Sequence, residues 1–306
     1  MKIVFMGSPE FAVPSLIKLH KSSHEITAVV SGMDKRRGRG KATSPTPVKE
    51  KAVDLGIPVM EVENLRDPDF ADKLQALRPE LVVVVAFRVL PPSVLAIPEI
   101  GSVNLHASLL PKYRGAAPIH RAVMEGETVT GCTVFFLDEK VDTGKIINKT
   151  ELPFGPNDTT GMVYDKLMRA GADLLLAAVN EIAKGDYILE DQNEALASGA
   201  PRIHAGDCLI DFNQPAGRVH NFIRGLSPLP AARIRLDGRL LKIYLARSVP
   251  DADLDPFELK VDNDRVLAGC NPGAVLLKMV QLEGKPRSNA ADFFRGYNGP
   301  GILTRQ

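Results

Sequence analysis

The sequence lacks the features that would place it in a membrane or in an oxidising compartment. Its three cysteines, Cys132, Cys208 and Cys270, are far apart and form no C-x-x-C pair. This spacing argues against a disulfide framework and against a thiolate metal site. No apolar run approaches the ~20 residues of a membrane span. We therefore expect a cytoplasmic protein that has no membrane contact and no metal site.

The sequence also lacks an excess of charge of either sign. The formal net charge is +1, with 38 lysines and arginines against 37 aspartates and glutamates. A polyanionic partner must therefore be recognised by a local basic patch rather than by the overall field of the molecule. Such a patch lies between Lys35 and Lys51.

The first half of the chain alternates short β-branched segments with segments of helical period. This alternation predicts a parallel sheet with helices on both faces. The predicted strands are 2–6, 25–31, 58–62, 81–87, 102–108 and 131–137. The predicted helices are 14–21, 47–55, 68–77, 91–96, 117–124 and 160–184. The fold class predicted for residues 1–189 is α/β, with a Rossmann-like, mostly parallel sheet.

The pattern changes after residue 189. Residues 190–206 show neither helical nor strand period and are rich in small and polar residues, which predicts a linker. Residues 207–306 contain a short helix and then short strands broken by glycine and proline. This second pattern predicts a small all-β domain, an OB-like barrel.

The segment 101–111 places polar groups with a period of two. Asn104, His106 and Ser108 would share one face of an extended strand. Open α/β sheets bind ligands beyond the carboxyl ends of their strands, where this segment is broken by Leu-Pro. A carboxamide beside an imidazole supplies an N–H donor for an oxyanion and a group that exchanges protons near neutral pH. The alternative interpretation is a pair of polar residues with structural hydrogen bonds.

A third polar group follows the next predicted strand. The Asp142 carboxylate could reach the same crevice, fix the tautomer of His106 and stabilise its charged form. The segment Asp142-Thr143-Gly144 is also an ordinary turn sequence. Spacing alone therefore supports a carbonyl-directed transferase or hydrolase and leaves the acyl donor unnamed.

Segments 104–115 and 142–144 resemble the signature of the folate-dependent formyltransferase superfamily. They read Asn-Leu-His-Ala-Ser-Leu-Leu-Pro-Lys-Tyr-Arg-Gly and Asp-Thr-Gly. The resemblance implies that Asn104, His106 and Asp142 form the catalytic trio and that the formyl donor is 10-formyltetrahydrofolate. It also implies folate-binding residues, which are Phe87, Arg88, Val89, Leu90, Ser108, Leu109, Leu110, Pro111 and Asp138. Arg88 and Lys140 depart from the usual pattern of this superfamily.

A basic, glycine-rich loop spans residues 34–49. Its Gly-Arg-Gly-Lys core and its later Pro-x-Pro-Val-Lys segment are similar to the loop of methionyl-tRNA formyltransferases. Dense cations on a polar loop fit phosphate contacts with a tRNA acceptor end. Without the resemblance, a solvated loop with no partner is the simpler interpretation. The implied tRNA-binding residues are Lys35, Arg36, Arg37, Arg39, Lys41 and Arg224.

The resemblance covers nearly the whole chain and implies a specific transfer reaction. The formyl group of 10-formyltetrahydrofolate would move to the α-amino group of methionyl-initiator tRNA, as in translation initiation. Alternatives left open are a folate-dependent hydrolase, a formyltransferase for a small amine such as a nucleotide sugar, and a non-catalytic RNA-binding module. The expected partners are the tRNA and the reduced folate, and the protein is expected to be a monomer.

Overall fold

The computed structural model describes residues 1–36 and 43–305. The helices are α1 (Val13–His20), α2 (Pro47–Asp54), α3 (Pro68–Ala76), α4 (Pro92–Leu95), α5 (Pro118–Glu125), α6 (Thr160–Lys184), α7 (Ala216–Gly225) and α8 (Ala290–Arg295). The strands of the first half are β1 (Lys2–Gly7), β2 (Glu25–Gly32), β3 (Lys35–Arg36), β4 (Thr43–Ser44), β5 (Val59–Val62), β6 (Leu81–Val85), β7 (Gly101–His106), β8 (Val129–Phe136) and β9 (Ile146–Pro153). Those of the second half are β10 (Ala232–Leu236), β11 (Arg239–Val249), β12 (Leu259–Asp262), β13 (Arg265–Gly269), β14 (Ala274–Leu282), β15 (Ser288–Asn289) and β16 (Leu303–Thr304).

The chain folds into two compact units that do not follow a single cut in the sequence. Unit 1 comprises Met1–Gly115, Gly131–Leu152 and Tyr164–Gly199. Unit 2 comprises Ala116–Thr130, Pro153–Val163 and Ala200–Gln306. Two segments from the region before residue 164 therefore group with the C-terminal residues, which no local pattern in the sequence indicated. The proposed domain limits at 189 and 206 stay predictions.

Unit 1 is built on a seven-stranded sheet with the order β5-β2-β1-β6-β7-β8-β9. The pairs β5-β2, β2-β1, β1-β6 and β6-β7 are parallel, whereas β8 runs antiparallel to β7. The central strand β6 is buried at all five residues because helices cover both faces of a parallel sheet. Two of the covering helices begin at a proline behind a side-chain cap, Thr46 for α2 and Asp67 for α3.

Unit 2 contains a curled antiparallel sheet with the order β12-β13-β14-β11-β10-β16, and β15 pairs with β14. The sheet packs against α7 and α8 around a core that includes Phe212, Ile223, Ile234, Ile243 and Val280. Register shifts in the long strand β11, between Ile243 and Ala246, interrupt its pairing with β14. Such irregularities bend a strand and help a sheet to curl.

The predicted fold class is confirmed: a mostly parallel α/β sheet is followed by an antiparallel half-barrel. The six predicted strands and six predicted helices of the first half all occur, with small shifts at their ends. The pattern missed β9, whose exposed edge position weakens its apolar alternation. Within the described residues, no helix is both long enough and apolar enough to cross a bilayer.

Candidate active site

Strand β7 places Asn104 and His106 two residues apart near its carboxyl end. Successive side chains of a strand point to opposite faces, so these two share one face of the sheet. Asn104 is half-buried and lies between Val84 of β6 and Phe135 of β8. The carboxamide of Asn104 makes no hydrogen bond to another of the described side chains or backbone groups. It is therefore a polar group available to a ligand.

His106 is buried, with 6% of its surface exposed, and both of its ring nitrogens face polar groups. Nε2 lies 2.9 Å from the Tyr113 carbonyl oxygen. Because a carbonyl only accepts, Nε2 carries the proton in this contact. Nδ1 lies 3.7 Å from Oδ2 of Asp142, which is an ion-pair distance but too long for a hydrogen bond.

Asp142 reaches His106 only because its loop turns back along the sheet. Since β8 is antiparallel to β7, its last residue Phe136 lies beside Val103, away from the end of β7. The following residues return to place the Asp142 carboxylate next to His106, where it is 8% exposed. Oδ2 also accepts a hydrogen bond of 2.8 Å from the Gly115 backbone N–H. Asp142 has a φ of 57°, the left-handed region that few residues other than glycine adopt.

Two contacts explain why this segment reads Asp142-Thr143-Gly144. The Thr143 hydroxyl donates to Asp138 Oδ1 at 2.8 Å, which closes the loop on itself. Gly144 lies against the backbone of Phe136, and a Cβ added there would be 1.8 Å from the Phe136 carbonyl oxygen. Only glycine fits this close approach, so the turn sequence serves the position of Asp142.

We expect Gly144→Ala to lower kcat about 100-fold, because the new methyl group must push the loop and Asp142 away from His106. The steady-state rate of formyl transfer measures this effect. Gly206→Ala is a matched control, since a Cβ at Gly206 meets nothing within 4 Å. A Gly144→Ala protein as active as this control would contradict the steric requirement.

Sequence reasoning missed a contribution from the predicted linker. The Gln192 amide lies between two loops of unit 1: its Nε2 donates to the carbonyls of Asp142 and Gly144, and its Oε1 accepts from the Arg114 guanidinium. Arg114 also pairs with Glu194. The hydrogen bonds between Arg114 and Glu194 raise the pKa of the Arg114 guanidinium and lower the pKa of the Glu194 carboxyl. No local pattern marks these residues, since their partners are distant in sequence.

The predicted folate-binding residues lie on three loops of unit 1. In the loop after β6, Leu90 is buried, Val89 is 68% exposed, and Arg88 packs over the Phe87 ring. The Arg88 guanidinium donates to the carbonyls of Val62 and Glu63, and burial lowers its pKa. This departure from the usual sequence therefore anchors the loop to the end of β5.

The other two predicted folate loops follow β7 and β8. Strand β7 ends at His106, so Ser108 lies beyond the strand on which it was predicted. Ser108 is fully buried and its hydroxyl donates to the Lys112 carbonyl, whereas Asp138 is exposed. Leu110 is buried as well, Leu109 packs against Gly131, and Pro111 follows a cis peptide bond. The direct folate contacts of this set stay a prediction.

Five of the six predicted tRNA-binding residues lie in the basic loop 34–49. Arg37, Arg39 and Lys41 lie outside the described residues, and the backbone of Lys35 and Arg36 forms the short strand β3. Arg224 requires a correction.

Arg224 is only 4% exposed and is held within unit 2. Its guanidinium donates to the Asp158 carbonyl at 3.0 Å and to Asn221 at 2.8 Å, and it lies over the Phe154 ring. A buried cation with these partners stabilises the fold and is not free to contact a phosphate, so we remove it from the tRNA-binding set.

Comparison with known families identifies the chain. The sequence pattern of the family described as Formyl transferase matches residues 1–179, and that of the Formyl transferase, C-terminal domain, matches residues 202–298. The chain belongs to the formyl transferase family. The first of these regions contains Asn104, His106 and Asp142.

Relatives named methionyl-tRNA formyltransferase match this chain over nearly its whole length. A methionyl-tRNA formyltransferase of Chlorobium luteolum is 44% identical over 304 residues, which covers 97% of this chain and 97% of that protein. The methionyl-tRNA formyltransferase of Moorella thermoacetica is 43% identical over 300 residues, covering 97% and 96%.

Solved structures share the fold at lower identity. An N-formyltransferase from Helicobacter canadensis, in complex with folinic acid and dTDP-3-aminofucose, matches with a TM-score of 0.68 and 20% identity, over 90% of this chain and 98% of that one. HypX from Aquifex aeolicus in complex with tetrahydrofolic acid matches with a TM-score of 0.63 and 17% identity, over 100% of this chain and 51% of that one. These likenesses concern the fold alone.

Proposed function

We propose that this formyl transferase moves the formyl group of 10-formyltetrahydrofolate to the α-amino group of methionyl-initiator tRNA. The observation that carries the proposal is the placement of Asp142 beside His106. Strand β7, which contains His106, also presents the carboxamide of Asn104, which has no hydrogen-bond partner among the described residues. The full-length similarity to proteins named methionyl-tRNA formyltransferase supports the choice of substrate.

The reaction begins with attack of the neutral methionyl amine on the formyl carbon. Model α-amines have a pKa of ~7.7, so about one in six is unprotonated at pH 7 and can attack without prior removal of a proton. The new C–N bond converts the formyl oxygen to an oxyanion, and the Asn104 N–H donates to it. Collapse breaks the bond to the folate nitrogen, which takes up a proton while the attacking amine loses one.

His106 and Asp142 stabilise the charge that forms in this step and move the proton that the amine loses. For Nε2–H of His106 to reach the oxyanion, it must exchange the Tyr113 carbonyl for the formyl oxygen. Asp142, 3.7 Å from Nδ1, stabilises the positive charge of the protonated ring and gives the amine proton a route out of the site. The Gly115 N–H keeps the carboxylate oriented throughout.

The folate would lie across the loops after β6, β7 and β8. Arg88 anchors the first loop through two backbone carbonyls, and the Asp138-Thr143 contact shapes the third. Leu90 and Leu110 are buried beside these loops, and such apolar residues would suit the flat ring of a pterin.

Each of the two units carries cations that would bind phosphates of the tRNA. The loop 34–49 supplies Lys35, Arg36, Arg37, Arg39 and Lys41 in unit 1. In unit 2 the antiparallel sheet and its connecting turn carry exposed cations, which are Arg235, Arg239, Arg247, Lys278 and Arg287. Exposed lysines and arginines bind phosphates through charge, and this binding weakens with salt.

The experiment that tests the tRNA substrate is Arg39→Ala. We expect a lower kcat/KM for methionyl-tRNA and a shallower salt dependence, by about one unit of log–log slope, because one phosphate contact is lost. The KM for the formyl donor should stay unchanged.

The matched control is Arg66→Ala, which removes the same charge from an exposed site outside the basic loop. Equal effects of the two substitutions would contradict a specific role for the loop. Formylation of a sugar amine in preference to methionyl-tRNA would contradict the proposed substrate itself.

A further inference from the structure

The segment 190–199, which we call the strap, belongs to unit 1 and is hydrogen-bonded to other loops of that unit near both of its ends. Near its start, Glu190 and Ile146 exchange two backbone hydrogen bonds of 2.8 and 2.9 Å. Near its end, Ser198 accepts from the Arg114 N–H through its carbonyl and from the Tyr113 N–H through its hydroxyl. The strap therefore joins the loop that contains Asp142 to the loop whose Tyr113 carbonyl contacts His106.

Gln192 is the point where the strap contacts both loops with one side chain. Its Nε2 donates to the Asp142 carbonyl at 2.9 Å and to the Gly144 carbonyl at 2.8 Å. Its Oε1 accepts from Arg114 Nε at 3.1 Å and Nη2 at 2.8 Å. The partners fix the orientation of the amide, because a reversed amide would set its oxygen against two carbonyls and its N–H groups against a cation.

Arg114 is in turn held by an exposed carboxylate. Its Nη1 and Nη2 donate to the two oxygens of Glu194 at 2.9 and 2.7 Å, a bidentate pair. Such a pair restricts a guanidinium in direction as well as in position. Since the same guanidinium contacts Gln192, the Glu194 pair limits the movement of the amide.

The backbone of Asp142 requires this support. A left-handed φ is unfavourable in a residue other than glycine and persists only when the surroundings enforce it. The carbonyl of that same residue is one of the two that Gln192 holds. The side chain, by contrast, is held by the Gly115 N–H. The hydrogen bonds of Gln192 therefore fix the backbone from which the carboxylate projects toward His106.

We propose that Gln192 is a positioning residue that acts through Asp142, with the Arg114-Glu194 pair as its support. This inference rests on the catalytic role of Asp142 in the proposed function. Gln192 contacts neither Asn104 nor His106, so its influence on the reaction passes through the Asp142 loop. A residue with only a structural role would change stability without selectively changing kcat.

The test compares two substitutions of Gln192 in the full-length protein. Gln192→Glu has nearly the same shape and keeps acceptors for Arg114, but it removes the two donors to the Asp142 and Gly144 carbonyls. Gln192→Met removes the hydrogen bonds to both loops. Asp191→Asn is the matched control, since the neighbouring Asp191 is exposed and pairs with the exposed Lys145. Thermal unfolding of each variant checks that the fold is retained.

We expect both Gln192 variants to lower kcat for methionyl-tRNA formylation by roughly 10- to 100-fold. KM for the tRNA and for the folate should change much less than kcat, because Gln192 holds the backbone of Asp142 rather than either substrate. In an Asp142→Asn background, Gln192→Met should cause almost no additional loss, because residues that act through one group are not additive.

Three results would overturn the proposal: wild-type kcat in both Gln192 variants, a loss confined to KM, or a full multiplicative loss in the double variant. Failure of the proposed function has a different signature. In that case neither the wild-type protein nor the Asp191→Asn control would formylate methionyl-tRNA.

Discussion

Replacing Asn104 with alanine should lower kcat for formyl transfer by about 10²–10³, the usual cost of losing one donor to an oxyanion. The carboxamide sits on β7 without a partner among the described residues, so alanine leaves no broken internal hydrogen bond behind it. The substitution should therefore destabilise the transition state of the reaction and leave the free energy of unfolding nearly unchanged. Steady-state kinetics with methionyl-tRNA and the folate donor measure it.

The KM for the formyl donor distinguishes an oxyanion donor from a residue that only binds the folate. KM for the folate should change far less than kcat, since the ground-state carbonyl needs the donor less than the oxyanion does. Asn157→Ala, which removes an exposed carboxamide in unit 2, serves as the control. Equal losses in kcat and in folate affinity would contradict the role of Asn104 as an oxyanion donor.

The second large effect is expected for Asp142→Asn, a loss in kcat of about 10³–10⁴. The asparagine keeps the size of the side chain and an oxygen for the Gly115 N–H, so the loop should hold its shape. What is lost is the negative charge 3.7 Å from Nδ1 of His106. Without that charge the protonated imidazole is less stable, and the amine proton loses its acceptor.

A control substitution at a second ion pair tests whether the loss belongs to this carboxylate. Asp173→Asn is the control, since its carboxylate pairs with Lys18 at the surface. A kcat for Asp142→Asn that matches that of the control would show that Asp142 does not act on His106.

Much of unit 1 was predictable because its signals are local. Proline starts and polar caps mark α2 and α3, and the all-apolar run of β6 marks a strand covered on both faces. The period of two in 101–108 correctly placed Asn104 and His106 on one strand face, although the strand ends before Ser108. These features depend on neighbours a few residues away, which a single sequence displays directly.

The support of the site was not predictable, because its contacts are long-range. Residues 190–199 look like a linker by composition, yet Gln192 bonds to residues 48 and 50 positions away and to Arg114 at 78. The same applies to Arg224, which looks like a surface cation in sequence and lies buried against Phe154 and Asp158. Charge and composition do not reveal whether a side chain meets a phosphate or a carbonyl of its own chain.

The sequence by itself determined the elements, the fold class and the residue types of the candidate site, since strand period, helix caps and signature segments are written in adjacent residues. Only the tertiary structure decided that Asp142 meets His106. The antiparallel course of β8 first carries the chain away from the end of β7, and a left-handed residue then brings it back. The close approach of Gly144 to Phe136 and the hydrogen bonds of Gln192 hold the loop that contains Asp142 in place. These contacts exist only once distant segments have packed together.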